Sequence, residues 1–160
     1  QHVTPGSRVI ELGPGTGVVT RELLARTGEG GTLLAVDTDR TFVERIRRAW
    51  PEVDCVCASA ETLPMLAAER GWTGVDHIVS GLPFAVLPAA TTRLIIDGVQ
   101  SVLRMGGTFT TFQYAHTFRL PPAVAFRRQV SAHLASQPSS QFVVRNVPPA
   151  LVLTWHRLGH

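Results

Sequence analysis

The sequence contains no lysine: all 15 of its basic residues are arginines, set against 12 acidic ones. The resulting pI near 9.6 suits an anionic partner, lipid head groups or nucleic acid, and does not choose between them. Cysteine is scarce too. Cys55 and Cys57 are too few for a disulfide framework or a zinc site, so free buried thiols in a reducing compartment are expected. No apolar run reaches the roughly 20 residues that span a bilayer. No secretory leader is expected from the polar stretch that starts at Gln1. The lack of Met there, a few residues before the first strand-like run, leads us to expect a missing N-terminal segment. Repeats, low-complexity stretches and linkers are absent as well, so residues 1–160 are expected to form one domain.

What is present alternates. Strand-like runs at Arg8–Leu12, Thr32–Val36, Asp54–Cys57, Val75–Val79 and Thr108–Tyr114 enclose helical patterns. These patterns cover Thr16–Arg26, Thr38 or Asp39 to Trp50, Glu61–Arg70 and Pro88–Leu103, the last ended by Gly106-Gly107. In the first helix Val18, Val19, Leu23 and Leu24 supply the expected apolar side. A further helix runs from Pro121 to about Ala135, and Gln141–Arg145 and Leu151–Arg157 read as an antiparallel pair around Asn146-Val147-Pro148-Pro149. The expected fold is α/β: a mostly parallel twisted sheet with an antiparallel C-terminal edge and helices on both faces.

The sharpest motif is Val9-Ile10-Glu11-Leu12-Gly13-Pro14-Gly15-Thr16-Gly17, a strand running through a glycine turn into a helix. Glycines let backbone approach a ligand closely. A dinucleotide fingerprint would place its third glycine at position 18, where Val18 stands. The spacing is instead G-x-G-x-G, with an acidic residue two before the first glycine. It resembles the first motif of class I methyltransferases. That resemblance implies a Rossmann-like fold and S-adenosylmethionine as cofactor, leaving as S-adenosylhomocysteine. It also implies that Glu11, Gly13, Gly15, Thr16 and Gly17 surround the aminoacyl part. Asp37, 20 residues beyond Gly17 at the end of the second strand, has a carboxylate able to accept both ribose hydroxyls, with Thr38 beside it. After the third strand comes Ala58-Ser59-Ala60-Glu61. Ser59 stands there where methyltransferases often carry Asp, so Ser59 and Ala60 are the expected adenine contacts.

After the fourth strand, Ser80-Gly81-Leu82-Pro83-Phe84 resembles the Asn-x-Pro-aromatic turn of amino-group methyltransferases, with Ser80 read as the replacement for Asn. A hydroxyl and backbone carbonyls suit an aliphatic amine better than a planar adenine amino group. Taken with Arg104-Met105-Gly106-Gly107, Phe112-Gln113-Tyr114 and Asn146-Val147-Pro148-Pro149-Ala150, the turn makes the chain similar to bacterial phospholipid N-methyltransferases from Val9 to about Arg157. The resemblance implies stepwise methylation of phosphatidylethanolamine towards phosphatidylcholine. It implies a phospholipid at an anionic membrane surface as partner, peripheral association with the cytoplasmic side of the inner membrane, a monomer, and no nucleic-acid partner.

Methyl transfer from a sulfonium to nitrogen needs positioning and removal of one proton, and the six histidines offer no metal-ligand spacing. Tyr114, at the end of the fifth strand, His116 beyond it and Ser80 are the candidate catalytic residues. Gly81, Leu82, Pro83 and Phe84 are expected to hold the amine, Phe84 by cation–π attraction. Phe112, Phe118 and Trp72 read as packing. Arg119 and Arg127, with Arg128, flank the helix over the substrate crevice and are the candidates for the head-group phosphate. The alternatives are an rRNA adenine N6-dimethyltransferase, a small-molecule amine N-methyltransferase and a non-catalytic module of the same fold.

Overall fold

The computed structural model describes residues 2–143 and 149–159. Short apolar runs become strands because helices bury them on both faces. In chain order these elements are β1 (Arg8–Leu12), α1 (Val18–Thr27), β2 (Thr32–Asp37), α2 (Arg40–Ala49) and β3 (Asp54–Cys57). A 3-10 turn at Ala60–Thr62 leads into α3 (Leu63–Glu69), followed by β4 (Val75–Ser80), α4 (Ala89–Val102), β5 (Leu103–Tyr114), α5 (Pro121–Leu134), β6 (Ser139–Val143) and β7 (Ala150–His156).

The strands form one sheet in the order β3-β2-β1-β4-β5-β7-β6. The pairs β1–β2, β2–β3, β1–β4 and β4–β5 are parallel, whereas β7 runs antiparallel to both β5 and β6. This is the expected Rossmann-like sheet. Ile10, Ile78, Phe109 and Trp155 face a core with Ile96 of α4 and Phe126 of α5. Val9, Leu33 and Ala35 face the opposite side, with Leu23 of α1 and Val43 and Ile46 of α2. The strand order reverses between β1 and β4, which opens a crevice beyond their carboxyl ends.

Several boundaries differ from expectation for local reasons. Helix α1 starts at Val18, because Gly17 takes a left-handed φ of +87° and closes the turn. Its first residues are not core: Val18 is 67% and Val19 41% exposed, whereas Leu23 is buried. Asp39 caps α2 as expected, accepting from Thr41 N at 2.8 Å. Helix α4 ends at Val102, and β5 begins at once, earlier than the glycine pair suggested. Its start pairs Leu103 with Val75 before the register shifts. Gly106 (φ +75°) then lets the strand meet β7's end, donating to Arg157 O at 2.8 Å. Strand β6 begins at Ser139, two residues before its expected start, and most of the Asn146 turn lies outside the described residues. Cys55 is buried, but Cys57 is exposed, and both are free. Among the described residues no helix is long and apolar enough to cross a membrane.

Candidate active site

The glycine turn lies at the mouth of the crevice. Gly13 and Gly15 hold φ values of +72° and +51°, which L side chains rarely adopt. Gly13 N donates to Val36 O at 2.8 Å, pinning the turn to β2. The role of Gly17 is packing: a Cβ there would come within 2.4 Å of the Trp50 ring. A cavity of about 260 Å³ lies against the turn, walled by Glu11, Gly13, Gly15, Thr16, Val18 and Val19. The exposed valines of α1 therefore belong to the site.

Two carboxylates stand at this turn. Glu11 is only 2% exposed and accepts from Thr20 Oγ1 at 2.7 Å. Burial pushes its pKa up to about 7; the Thr20 hydrogen bond opposes the rise and the nearby Asp37 charge adds to it. Asp37 accepts from Gly15 N at 3.3 Å through one oxygen and from Asp39 N at 2.9 Å through the other. A glycine turn between two acids fits a ligand that carries positive charge beside a ribose, as S-adenosylmethionine does. The other expected cofactor contacts are less central. Thr38 is exposed, and its carbonyl accepts from Cys57 Sγ at 3.6 Å. Ser59 Oγ accepts from Glu61 N at 3.3 Å, capping the 3-10 turn, and Ala60 packs into the core.

A second cavity, about 340 Å³, lies between the segment after β4 and the end of β5. Leu82, Pro83, Tyr114 and His116 line it, and it shares Gly81 and Phe112 with the first cavity. The Tyr114 ring stacks on His116 at 5.7 Å and meets Phe112 edge-on at 5.5 Å. The two loop-end candidates are thus brought together, with Phe112 standing between acceptor side and cofactor side. Sequence reading treated Phe112 as packing. Its alternation with Tyr114 along β5, which puts both on one face at the carboxyl end, is the signal that could have found it.

The structure corrects several expectations. Ser80 is fully buried: its Oγ accepts from Leu82 N at 3.2 Å and its carbonyl accepts from Thr111 Oγ1 at 3.0 Å. It builds the turn and lines the first cavity, not the second. Counting back from Pro83, Gly81 and not Ser80 takes the place of the usual Asn. A Cβ on Gly81 would sit 2.7 Å from Gly13 O, so the two turns meet too closely for a carboxamide side chain. Phe84 reaches the cavity, but its ring is 3% exposed and stacks on Phe126 at 4.1 Å, so it offers no open face to a cation. Arg127 is committed elsewhere: it donates to Gln113 Oε1 at 2.6 Å and Phe118 O at 2.8 Å, and lies 3.8 Å over the Phe118 ring. Arg119 is exposed and lines neither cavity. Among the described residues no group of His, Cys, Asp or Glu could hold a metal ion.

Comparison with known proteins bears on this geometry. Residues 9–107 match the family described as a methyltransferase domain. The chain is 37% identical over 86 residues to a ribosomal RNA small subunit methyltransferase A of Thiobacillus denitrificans, covering 53% of this chain and 31% of that protein. It is 30% identical over 104 residues to an ornithine lipid N-methyltransferase of Singulisphaera acidiphila, covering 63% and 54%. The chain thus spans about a third of the first relative and about half of the second. Among solved structures, fibrillarin of Aeropyrum pernix with bound S-adenosyl-L-methionine shares the fold, with a TM-score of 0.76 at 13% identity over 96% of this chain and 68% of that one.

Proposed function

The chain belongs to the methyltransferase-domain family and is an S-adenosylmethionine-dependent methyltransferase domain; we propose that its acceptor is the primary amine of a membrane lipid head group, phosphatidylethanolamine first. The observation that carries this reading is the junction of the two cavities at Gly81 and Phe112. It sets an aromatic and aliphatic acceptor site end to end with the glycine turn, as in-line transfer to nitrogen requires. The likeness to a lipid N-methyltransferase, which covers more of this chain than the rRNA enzyme does, supports it.

When bound, the cofactor supplies an electrophilic methyl on a sulfonium. The residues of the chain do the rest. Glu11 and Asp37 favour a cationic ligand at the turn, and the tie from Asp37 to Gly15 orients its carboxylate for the ribose. The walls from Leu82 to Phe84 and Phe112 exclude water from the amine. An alkylammonium ordinarily titrates near 10, as lysine does (about 10.4), and desolvation lowers that value. Tyr114 and His116, stacked at the cavity wall, are the groups within reach to accept the proton. The domain would act as a peripheral protein at the cytoplasmic membrane surface.

The identity to the rRNA methyltransferase favours one rival, transfer to an adenine amino group. Against it stands Gly81, whose contact with Gly13 leaves no room for the carboxamide that grips a planar amine. Labelled S-adenosylmethionine is expected to place methyl groups in phosphatidylethanolamine vesicles and not in rRNA. Label in rRNA alone would overturn the lipid assignment.

A further inference from the structure

The charges are divided along the chain. No Asp or Glu follows Asp97, although six arginines do, and none lies between Asp76 and Asp97. Every carboxylate of the cofactor turn comes from the first half, whereas the acceptor cavity is built from segments free of negative charge. Both loops that frame this cavity, with the first residues of the helices that follow them, also expose apolar side chains to water. In the first, Pro83, Val86, Pro88, Ala89 and Ala90 are exposed, Val86 at 76%. In the second, Ala115, Leu120, Pro121 and Pro122 are exposed, Leu120 at 45%. Leu120 N donates to Thr117 O at 3.0 Å, which holds it one turn from the cavity wall. Arg119 stands beside it in the chain and is exposed. Loops are ordinarily polar, and clustered exposed apolar residues mark an interaction surface.

We infer that this rim, with Val86 and Leu120 as apolar tips and Arg119 as the cation next to Leu120, docks on an anionic bilayer. The acceptor cavity then opens onto the lipid surface. The inference rests on the lipid acceptor proposed above only for its purpose; the physical case is the pairing of apolar tips with uncompensated arginine. Anionic phosphates attract the arginine, and the interfacial region takes up the side chains beside it. RNA would satisfy Arg119 but leaves Val86, Leu120 and the prolines without a use. A bilayer uses both.

The test is flotation of the full chain with phosphatidylcholine vesicles, with and without phosphatidylglycerol, neither lipid carrying the proposed acceptor amine. The chain is expected to float with the anionic vesicles, less so as salt rises, and weakly with phosphatidylcholine alone. Val86→Ser/Leu120→Ser is expected to weaken that binding about tenfold, and Arg119→Gln to remove most of its salt dependence. Met105→Ser, at an exposed residue near the opposite end of the sheet, is expected to bind like the parent, with circular dichroism melts confirming that each variant folds. The inference is overturned if the parent chain does not float, if the Val86/Leu120 variant floats unchanged, or if an rRNA fragment binds with an affinity that depends on Arg119 while vesicles do not. Methyl transfer to detergent-dispersed phosphatidylethanolamine, measured alongside, separates the two proposals. Transfer without flotation sinks only the docking surface, and flotation without transfer sinks only the acceptor.

Discussion

Arg127 donates a 2.6 Å hydrogen bond to the side-chain carbonyl of Gln113, which joins α5 to the carboxyl end of β5. A guanidinium only donates, so this contact fixes which end of the buried amide faces it. The same arginine holds Phe118 through its carbonyl and its ring. Arg127 thus braces the loop that follows Tyr114. Arg127→Met is expected to cost about 1–2 kcal/mol and to lower the melting temperature by about 3–6 °C. Had Arg127 served as a phosphate ligand, the variant would melt like the parent and show only a raised acceptor KM. Thermal unfolding followed by circular dichroism decides.

Glu11 makes both stability and cofactor binding depend on pH. The folded chain keeps the proton up to about pH 7, whereas the unfolded chain releases it near the ordinary 4.5. The folded state binds the extra proton between these values, so stability falls as pH rises across that interval, and the full penalty is present above it. A cationic ligand favours the ionised carboxylate, so affinity for S-adenosylmethionine is expected to rise several-fold as pH passes through about 7. Glu11→Gln is expected to flatten that profile and to stabilise the apo chain only at neutral and alkaline pH. Calorimetry across pH tests the first expectation and denaturant titration the second; a flat parent profile would remove Glu11 from the cofactor site.

The glycines of the turn are expected to fail differently when substituted. Gly17→Ala drives a Cβ to 2.4 Å from Trp50 and 2.8 Å from Ile46 at a φ of +87°. A loss of about 2–3 kcal/mol in stability is expected from strain and overpacking together. At Gly15 a Cβ meets nothing within 4 Å and only the φ of +51° is unfavourable, so Gly15→Ala should cost about 1 kcal/mol. Gly15 lines the cofactor cavity, however, and that variant is expected to lose affinity well beyond its loss of stability. Equal effects at both positions, read by urea unfolding and calorimetry, would mean the turn is purely structural.

Asp37→Ala is expected to weaken cofactor binding about 10- to 100-fold, the range set by losing a charged hydrogen-bond partner. Its carboxylate also organises the turn through Gly15 N and Asp39 N. Asp37→Asn, which keeps one carbonyl acceptor, should fall between. Unchanged affinity in calorimetry for the alanine variant would exclude the ribose assignment.

The legible parts of this protein are those whose physics is local. The glycine turn, the Asp39 cap and the alternation of strands and helices each follow from a few neighbouring residues, and all stand in the structure. Residues whose partners come from distant segments were misread. Phe84 looks like an aromatic wall until Phe126 of α5 covers its ring, and Arg127 looks free until β5 delivers Gln113. Val18 and Val19 follow helical periodicity, which cannot tell a face on the core from a face on a ligand cavity. The misplacement of the missing Asn had a different cause. Counting back from Pro83 already places it at Gly81 in the sequence, and the approach of Gly13 O to Gly81 shows why that residue lacks a side chain.

Tyr114 offers the most direct test of the chemistry. Its ring lies against His116 at 5.7 Å and against Phe112 at 5.5 Å, so both neighbours keep its position when the hydroxyl is removed. Tyr114→Phe should therefore fold and bind cofactor like the parent. If the hydroxyl relays the proton leaving the amine on to His116 or to water, kcat is expected to fall about 100-fold, within the usual range for proton-transfer catalysis. A raised pH would partly restore the rate, because more of the amine is then already neutral. His116→Ala, at an exposed ring, is expected to lower kcat much less. A Tyr114→Phe variant with parental kcat at all pH values would show that the amine loses its proton without this residue. A fall that persists at high pH would assign Tyr114 to positioning the amine.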